Sequence, residues 1–299
     1  MQPAISALVA ELGLPAFAQS SDGDVILERM SREAPHRYRG AGGVAESLRL
    51  AGGTAALVGA LVRDLPRERL HLGARVTTMA LADGGVEMTF SRADGAIETV
   101  IAQCAIAAAP PRLLEATMTF TPGPEPATAR LWRGTATWMA PHAKFFAVYE
   151  RTFWREAGLS GTARSMVGPM AEVHDATTAS GNAALFGFLG IDAAIRAALG
   201  EEALTQACLT QLDRLFGPQA LRPRATLLKD WAADPLTAML ADKTTGGHPV
   251  PSDAQWTSGP WRERLALAGS ETSPSEPGYL AGAVVASERA VQQMVAMLR

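Results

Sequence analysis

The C-terminal stretch of this chain constrains its fold more than any other part of the sequence. Residues 265–268 form a short apolar run that predicts a buried strand, and the run ends in the turn Gly269-Ser270-Glu271-Thr272. A Pro-rich loop follows, and a helix is predicted from Gly278, just after Pro277, almost to the last residue. Its apolar residues recur at helical spacing: Leu280, Val284, Val291, Met294, Val295 and Leu298. Small residues in the first turns predict backbone N–H groups that are open to a ligand with negative charge.

This strand–turn–helix pattern resembles the C-terminal flavin-binding signature of the FAD-dependent amine oxidases, the monoamine oxidase family. The family pattern is Ala-Gly-x-Glu-Thr, a short loop, Gly-Tyr-x-x-Gly-Ala and then Arg-Ala, and the chain meets each fixed position from Gly269 to Ala290. The resemblance implies that one group of residues binds the cofactor: Gly269, Ser270, Glu271, Gly278, Tyr279, Leu280 and Ala283. The pattern alone leaves open an ordinary small-residue helix that packs on a sheet.

Length, charge and cysteine content limit the classes of protein to which this chain can belong. With 299 residues the chain can form one large or two ordinary domains, and its net charge of −3 argues against a nucleic-acid surface. Cys104 and Cys208 lie in apolar periodic segments, as buried thiols of a reducing compartment do. The sequence shows no secretory signal pattern and no apolar run of about 18 residues. We therefore expect a soluble, cytoplasmic protein that contacts no membrane and no nucleic acid.

The start of the chain also resembles the amine oxidase family. A helix is predicted at residues 5–14, and the segment from Glu11 to Phe17 resembles the family segment that leads into the substrate domain. In the family a Rossmann βαβ unit, which binds the ADP half of FAD, precedes this segment, so the resemblance implies that this N-terminal unit is missing. The candidate phosphate loop at residues 40–45 follows polar residues and is interpreted as a Gly-rich connector. We therefore expect weak FAD binding by this chain alone, and exposed sheet edges that favour self-association.

Apolar periodicity between the two ends predicts alternating strands and helices. Strands are predicted at residues 70–72, 76–81, 86–90, 99–109, 143–149, 183–191 and 227–231. One helix is predicted at residues 192–216, and an earlier one carries Leu57, Leu61 and Leu65 on one face. In the family, the residue that matches Val76 lies against the adenine half of FAD, so the resemblance implies a cofactor contact there.

Lys144 is the residue that most strongly suggests chemistry. It lies in the middle of an apolar strand, where a lysine is costly to bury without a partner. In the family, the lysine at the matching place holds a water molecule beside the flavin N5, and that water helps the reduced flavin react with oxygen. A lysine whose charge simply reaches solvent is the alternative.

Two aromatic residues match family positions beside the flavin ring. Tyr279 matches the aromatic residue at the flavin face, and Trp231 matches the tryptophan packed near the ring, although both positions also suit core aromatics. The family's second cage aromatic is expected near residues 239–241, where the chain has neither an aromatic residue nor a cysteine. We therefore expect an incomplete aromatic cage and non-covalent FAD. The five histidines show no metal-ligand spacing, so we expect no metal and place them on the surface or in loops.

The resemblance implies an α/β flavoprotein with two interwoven domains. Residues 40–130 and 234–299 are predicted to form the FAD-binding domain, and residues 1–39 and 131–233 the substrate-binding domain. The implied activity is oxidation of an amine C–N bond with FAD and oxygen, with Lys144 and Tyr279 at the reacting centre. Two alternatives stay open: a non-catalytic remnant or subunit that needs a partner chain for FAD, and a related flavin desaturase or renalase-like oxidase. The predicted partners are a small amine-like substrate and either a partner chain or a second copy of this chain.

Overall fold

The computed structural model describes residues 2–40, 47–244 and 247–299. Residues 41–45 of the predicted Gly-rich connector lie outside the described residues. The α-helices of the described residues are α1 (Pro3–Glu11), α2 (Gly53–Val62), α3 (Pro111–Thr117), α4 (Pro126–Gly134), α5 (Phe153–Glu156), α6 (Ala193–Leu199), α7 (Glu201–Phe216) and α8 (Leu280–Met297). The strands are β1 (Ala16–Ala18), β2 (Asp24–Glu28), β3 (His36–Tyr38), β4 (Leu48–Leu50), β5 (Arg75–Ala82), β6 (Gly85–Ser91), β7 (Ile97–Ala102), β8 (Ala105–Ala107), β9 (Thr119–Thr121), β10 (Ala143–Tyr149), β11 (Leu159–Ser165), β12 (Met170–Asp175), β13 (Ala183–Leu189), β14 (Ala225–Asp230) and β15 (Leu265–Leu267).

The chain divides into two compact units. The terminal unit comprises Met1–Glu11, Arg63–Ala140 and Pro235–Arg299, and the central unit comprises Leu12–Val62 and Pro141–Asp234. One unit boundary lies next to the predicted domain boundary at residue 234. Other boundaries differ, because β4 pairs with β1 inside the central unit and α1 packs against α8 inside the terminal unit. The division of flavin and substrate binding between the units stays a prediction.

A seven-stranded sheet forms the centre of the central unit, in the order β14-β10-β13-β12-β11-β2-β3. Along β10 the side chains alternate between buried and half-buried positions, as a strand with one fully covered face requires. The covered face packs against α7 in a core with these members among others: Phe145, Leu185, Cys208, Leu212 and Phe216. Lys144 therefore lies on the opposite, half-buried face of the sheet.

The terminal unit contains two smaller sheets. A four-stranded sheet has the order β7-β6-β5-β9, and β15 pairs in parallel with β8. The strand predicted at residues 265–268 is confirmed as β15, whose three residues are all buried. The core around it contains Phe120, Trp132 and Trp261, whose rings meet edge to face.

Three predicted elements differ from the structure. The strand at residues 99–109 is two strands, β7 and β8, because the chain passes from the four-stranded sheet to the parallel pair. The helix at residues 192–216 is broken at Gly200, whose φ of +78° ends α6 before α7 begins. Residues 70–72 form no strand: they follow a 3-10 helix at Arg67–Arg69, and Leu72 is 90% exposed.

In two helices, several of the apolar residues that recur at helical spacing are not buried. In α2, Leu57 is buried, whereas Leu61 is exposed and Leu65 lies exposed beyond the helix end. The buried residues of α8 are small except for one: Ala281, Gly282, Ala286, Ala290 and Met294. Most of the larger apolar residues that recur at helical spacing are exposed: Leu280, Val291, Val295 and Leu298. Small side chains let the α8 backbone approach β15 closely, which explains why this face is the buried one.

Among the described residues, no helix has the length and apolarity to cross a membrane.

Candidate functional site

Lys144 lies among aromatic residues on the half-buried face of the seven-stranded sheet. Because side chains alternate along β10, Lys144 and Phe146 occupy the same face. The strand register places Lys144 opposite Phe188, and Phe146 opposite Phe186, on β13. On the other side of β10, Lys144 lies opposite Lys229 of β14. The sheet itself therefore brings the lysine to the two phenylalanines.

The ammonium group of Lys144 contacts the faces of aromatic rings. Its Nζ lies 4.7 Å from the ring centre of Phe188, 5.6 Å from that of Trp231 and 5.9 Å from that of Phe186. Burial lowers the pKa of Lys144, and the nearby charge of Arg49 lowers it further. A lysine with a lowered pKa can donate a hydrogen bond to a water molecule and can also transfer a proton.

Trp231 is fixed at the end of β14 by a buried ion pair. The Trp231 N–H donates to the His142 carbonyl oxygen at 3.1 Å. The side chain of Asp230 accepts from Arg196 Nε at 2.7 Å and from Arg196 Nη2 at 2.8 Å. Arg196 is buried and also donates from Nη2 to the Pro141 carbonyl oxygen at 2.8 Å. Because a bidentate pair is directional, it holds Trp231 against the start of β10.

Tyr279 belongs to a cluster of three rings in the terminal unit. Its ring centre lies 5.2 Å from that of Trp138 and 4.7 Å from that of His248. His248 Nδ1 is 2.9 Å from the Pro249 carbonyl oxygen, and because a carbonyl only accepts, Nδ1 carries the proton. Within the part of the chain that the structure describes, His248 Nε2 and Thr137 Oγ1 are buried without a hydrogen-bond partner. The cluster therefore consists of three rings, one of which carries a buried, unsatisfied nitrogen, His248 Nε2.

The turn after β15 is closed by Arg289 of α8. Arg289 Nη2 donates to the Leu267 carbonyl oxygen at 2.7 Å and to Thr272 Oγ1 at 2.9 Å. A Cβ at Gly269 would lie 3.0 Å from the Ala109 carbonyl oxygen, so the turn leaves little room for a side chain. Packing of the turn therefore accounts for Gly269, Thr272 and Arg289 of the signature.

Glu271 is a buried carboxyl group inside this turn. Burial raises the pKa of Glu271, and the charge of Asp242 acts in the same direction. Hydrogen bonding by Ser270 and by the Glu271 backbone opposes this rise in part. When protonated, such a carboxyl group can donate a hydrogen bond to a ligand oxygen.

The loop before α8 covers the start of the helix. A Cβ at Gly282 would overlap the Glu276 carbonyl oxygen, and Gly278 has a φ of +79°. The chain's own carbonyl group therefore fills the space beside Gly282, while access of a ligand to the backbone N–H groups of the helix start stays a prediction. Leu280 is exposed and Ala283 is half-buried. Cofactor contacts at Gly278, Leu280 and Ala283 stay predictions.

Val76 lies on β5 in the terminal unit. It is opposite Phe90 of β6 and packs, partly buried, against the core that includes Met79 and Leu265. Its packing against this core is established, while its contact with a nucleotide stays a prediction.

Local sequence patterns did not indicate five of the residues around Lys144 and Tyr279: Arg49, Trp138, Phe186, Phe188 and His248. The alternation of Phe186 and Phe188 along β13 was an available signal, because both positions face the same side of a strand. The placement of the histidines on the surface or in loops is wrong for His174, which lies half-buried on β12 and stacks on Phe186. His248 does lie in a loop, but its ring contacts Tyr279.

In the comparison with known proteins, one family model matches most of the chain. The model of the flavin-containing amine oxidoreductases matches residues 7–295. An L-amino acid dehydrogenase from Synechocystis sp. is 28% identical over 273 residues, which cover 88% of this chain and 54% of that protein. The chain thus spans about half the length of this relative.

Solved structures of amine oxidases share the fold. Wild-type putrescine oxidase bound to putrescine has a TM-score of 0.78 at 18% identity, with 98% of this chain and 86% of that chain covered. Cyclohexylamine oxidase from Brevibacterium oxydans has a TM-score of 0.76 at 17% identity, with 100% of this chain and 86% of that chain covered. At these identities the similarity establishes the fold, which is the predicted α/β fold of the amine oxidase type.

Proposed function

We propose that this chain, which belongs to the flavin-containing amine oxidoreductase family, oxidises the C–N bond of an amine with non-covalent FAD as the hydride acceptor and oxygen as the final electron acceptor. The observation that carries the proposal is Lys144, a half-buried lysine among aromatic rings with a lowered pKa. Cys104 and Cys208 are free thiols, which supports a reducing compartment such as the cytoplasm.

The residues around Tyr279 fit a flavin. Tyr279 is 37% exposed, which leaves part of its ring open to a flat heteroaromatic group, and the unsatisfied His248 Nε2 beside it suits a group with polar edges. We propose that the following residues hold FAD: Val76, Trp231, Gly269, Ser270, Glu271, Gly278, Tyr279, Leu280 and Ala283. When bound, FAD would supply the acceptor for the hydride that leaves the carbon next to the amine nitrogen.

The proposed role of Lys144 is electrostatic and positional. Its ammonium group holds a water molecule, and its positive charge stabilises the negative charge that develops on oxygen during reduction. The faces of Trp231 and Phe188 keep bulk water away from this charge, which strengthens its effect.

Replacement of Lys144 tests the proposal. Lys144→Met keeps the length of the side chain and removes the charge. In the form of the protein that retains flavin, we expect the limiting rate of flavin reduction, measured at saturating substrate, to stay within about twofold of wild type. We expect reoxidation by oxygen to slow at least about tenfold, or about 1.4 kcal/mol in the barrier. Stopped-flow absorbance measures the two half-reactions separately.

Lys229→Met is the matched control. Lys229 lies opposite Lys144 on β14 and forms an ion pair with Asp234 at 2.8 Å. This variant should change neither half-reaction, which shows that loss of a neighbouring cation is not enough. An unchanged oxygen step in Lys144→Met contradicts the proposed role.

A second candidate is a flavin-binding subunit that works with a partner chain. The absorption spectrum of the purified chain separates the two. Stoichiometric, tightly held FAD supports the autonomous oxidase. A colourless chain that binds added FAD only weakly supports the subunit.

Product analysis addresses the desaturase alternative, because amine oxidation ends in a carbonyl compound and desaturation ends in a carbon–carbon double bond.

A further inference from the structure

Arg49 of β4 is a half-buried guanidinium group in the central unit. Its Nε and Nη2 donate to the side-chain oxygen of Gln19 at 3.0 and 2.9 Å. Its Cζ lies 5.2 Å from the ring centre of Phe186. These contacts use one edge and one face of the group. Among residues 2–40, 47–244 and 247–299, no hydrogen bond uses Nη1, so the edge between Nη1 and Nη2 keeps donors for a ligand.

Arg49 and Lys144 both contact the ring of Phe186. Neither forms an ion pair with a carboxylate of the described residues. Asp175 acts on the charge of Arg49 from nearby, but its carboxylate already accepts from Arg155 Nε at 2.8 Å. Two cations therefore share one aromatic surface without a counter-ion from the described part of the chain.

We propose that Arg49, together with Lys144, binds the carboxylate of the substrate, so that the amine oxidised by this chain is an amino acid with an apolar or aromatic side chain. This inference rests on the proposed function. The planar fork of an arginine matches the two oxygens of a carboxylate, and such charge-assisted hydrogen bonds are strong ones. The rings of Phe186, Phe188 and Trp231 offer apolar contact for the rest of the substrate.

The same two cations disfavour a simple amine on this face. At neutral pH an alkyl amine carries a positive charge, which Arg49 and Lys144 repel. A carboxylate next to the amine nitrogen offsets that repulsion and anchors the molecule. The site therefore selects for a negative group beside the nitrogen rather than for the nitrogen alone.

Equilibrium binding tests this inference without turnover. The probes are 3-phenylpropionate, which carries the carboxylate alone, and phenethylamine, which carries the ammonium alone. Isothermal titration calorimetry on the full chain measures both. We expect 3-phenylpropionate to bind the tighter of the two. Arg49→Met should weaken its binding at least about tenfold, or about 1.4 kcal/mol, and Arg49→Lys should weaken it less because the charge remains.

Arg224→Met is the matched control, since Arg224 is an exposed arginine of the same unit that pairs with Glu150 at 3.0 Å. This variant should bind 3-phenylpropionate as wild type does. Circular dichroism melting checks that each variant folds, and Arg49→Lys keeps the test decisive if Arg49→Met does not. Tighter binding of phenethylamine, or equal binding of 3-phenylpropionate by wild type and the Arg49 variants, overturns the inference. A chain that binds the carboxylate through Arg49 but oxidises no amine contradicts the proposed function instead, so the two failures are distinguishable.

Discussion

Glu271 is a carboxyl group that the fold removes from water. Burial raises its pKa above the ordinary value of 4.5. Between pH 4.5 and the higher pKa of the folded state, the folded chain binds more protons than the unfolded chain, so stability falls as the pH rises through this window. At neutral pH the buried charge therefore costs stability.

We expect Glu271→Gln to remove this cost. Its melting temperature should exceed that of wild type at pH 7, and the difference should shrink as the pH falls below 4.5, where the wild-type carboxyl group is protonated in both states. Differential scanning calorimetry over a pH series measures the effect. Glu263→Gln makes the same chemical change at an exposed position and should show no such trend. A lower melting temperature for Glu271→Gln at pH 7 would show that the ionised carboxylate stabilises the turn.

At the scale of residues, the sequence indicated which single residue suggests chemistry, but not which residues surround it in space. Lys144 stood out because a lysine is rare inside an apolar strand, and the structure does place it on β10 among rings. Its partners Phe186 and Arg49 lie far away in the chain, and the pairing of β10 with β13 brings Phe186 to it. Register between distant strands is a tertiary property, and no local pattern carries it.

At the scale of elements, the loop before α8 depends on one glycine. A Cβ at Gly282 would overlap the Glu276 carbonyl oxygen, which belongs to the backbone and has little freedom to move. Gly282→Ala is favourable for helix propensity by about 1 kcal/mol, yet we expect it to lower the free energy of unfolding by about 1–3 kcal/mol because the overlap is the larger effect. Chemical denaturation monitored by circular dichroism measures the change.

Gly59→Ala is the control for this prediction. Gly59 lies inside α2, and a Cβ there would meet no atom within 4 Å. The same substitution should therefore leave stability unchanged or raise it. A stabilised Gly282→Ala variant would mean that the loop shifts away from the helix without cost.

Strands and helices were predicted well where a local apolar pattern defines them. They were predicted poorly where packing against other elements determines which face is buried. The strands β10 and β15 follow from their apolar runs. The buried face of α8 did not follow, because hydrophobicity ranked Val291 and Val295 above the alanines that contact the parallel strands. Close approach of backbones selects small residues, and a hydrophobic pattern alone cannot distinguish that face from an exposed one.

At the scale of the whole molecule, the four-stranded sheet has an edge strand that carries exposed apolar side chains. The three residues of the strand β15 are all buried. By contrast, β7 is an edge strand of the four-stranded sheet, with Ile97 74% exposed and Ile101 65% exposed. An edge strand with free backbone groups and apolar side chains is a site for pairing with another chain.

We therefore expect the purified chain to self-associate through β7 as its concentration rises. Ile101→Lys should shift the chain toward the monomer, because edge lysines oppose strand pairing and the new charge would lie opposite Glu87 of β6. Sedimentation velocity over a concentration series measures the distribution of species. Leu72→Lys is the control, since Leu72 is 90% exposed but lies outside any strand. If Leu72→Lys reduces association as much as Ile101→Lys does, general surface hydrophobicity drives the association. If wild type stays monomeric at every concentration, the edge of β7 does not pair with another chain.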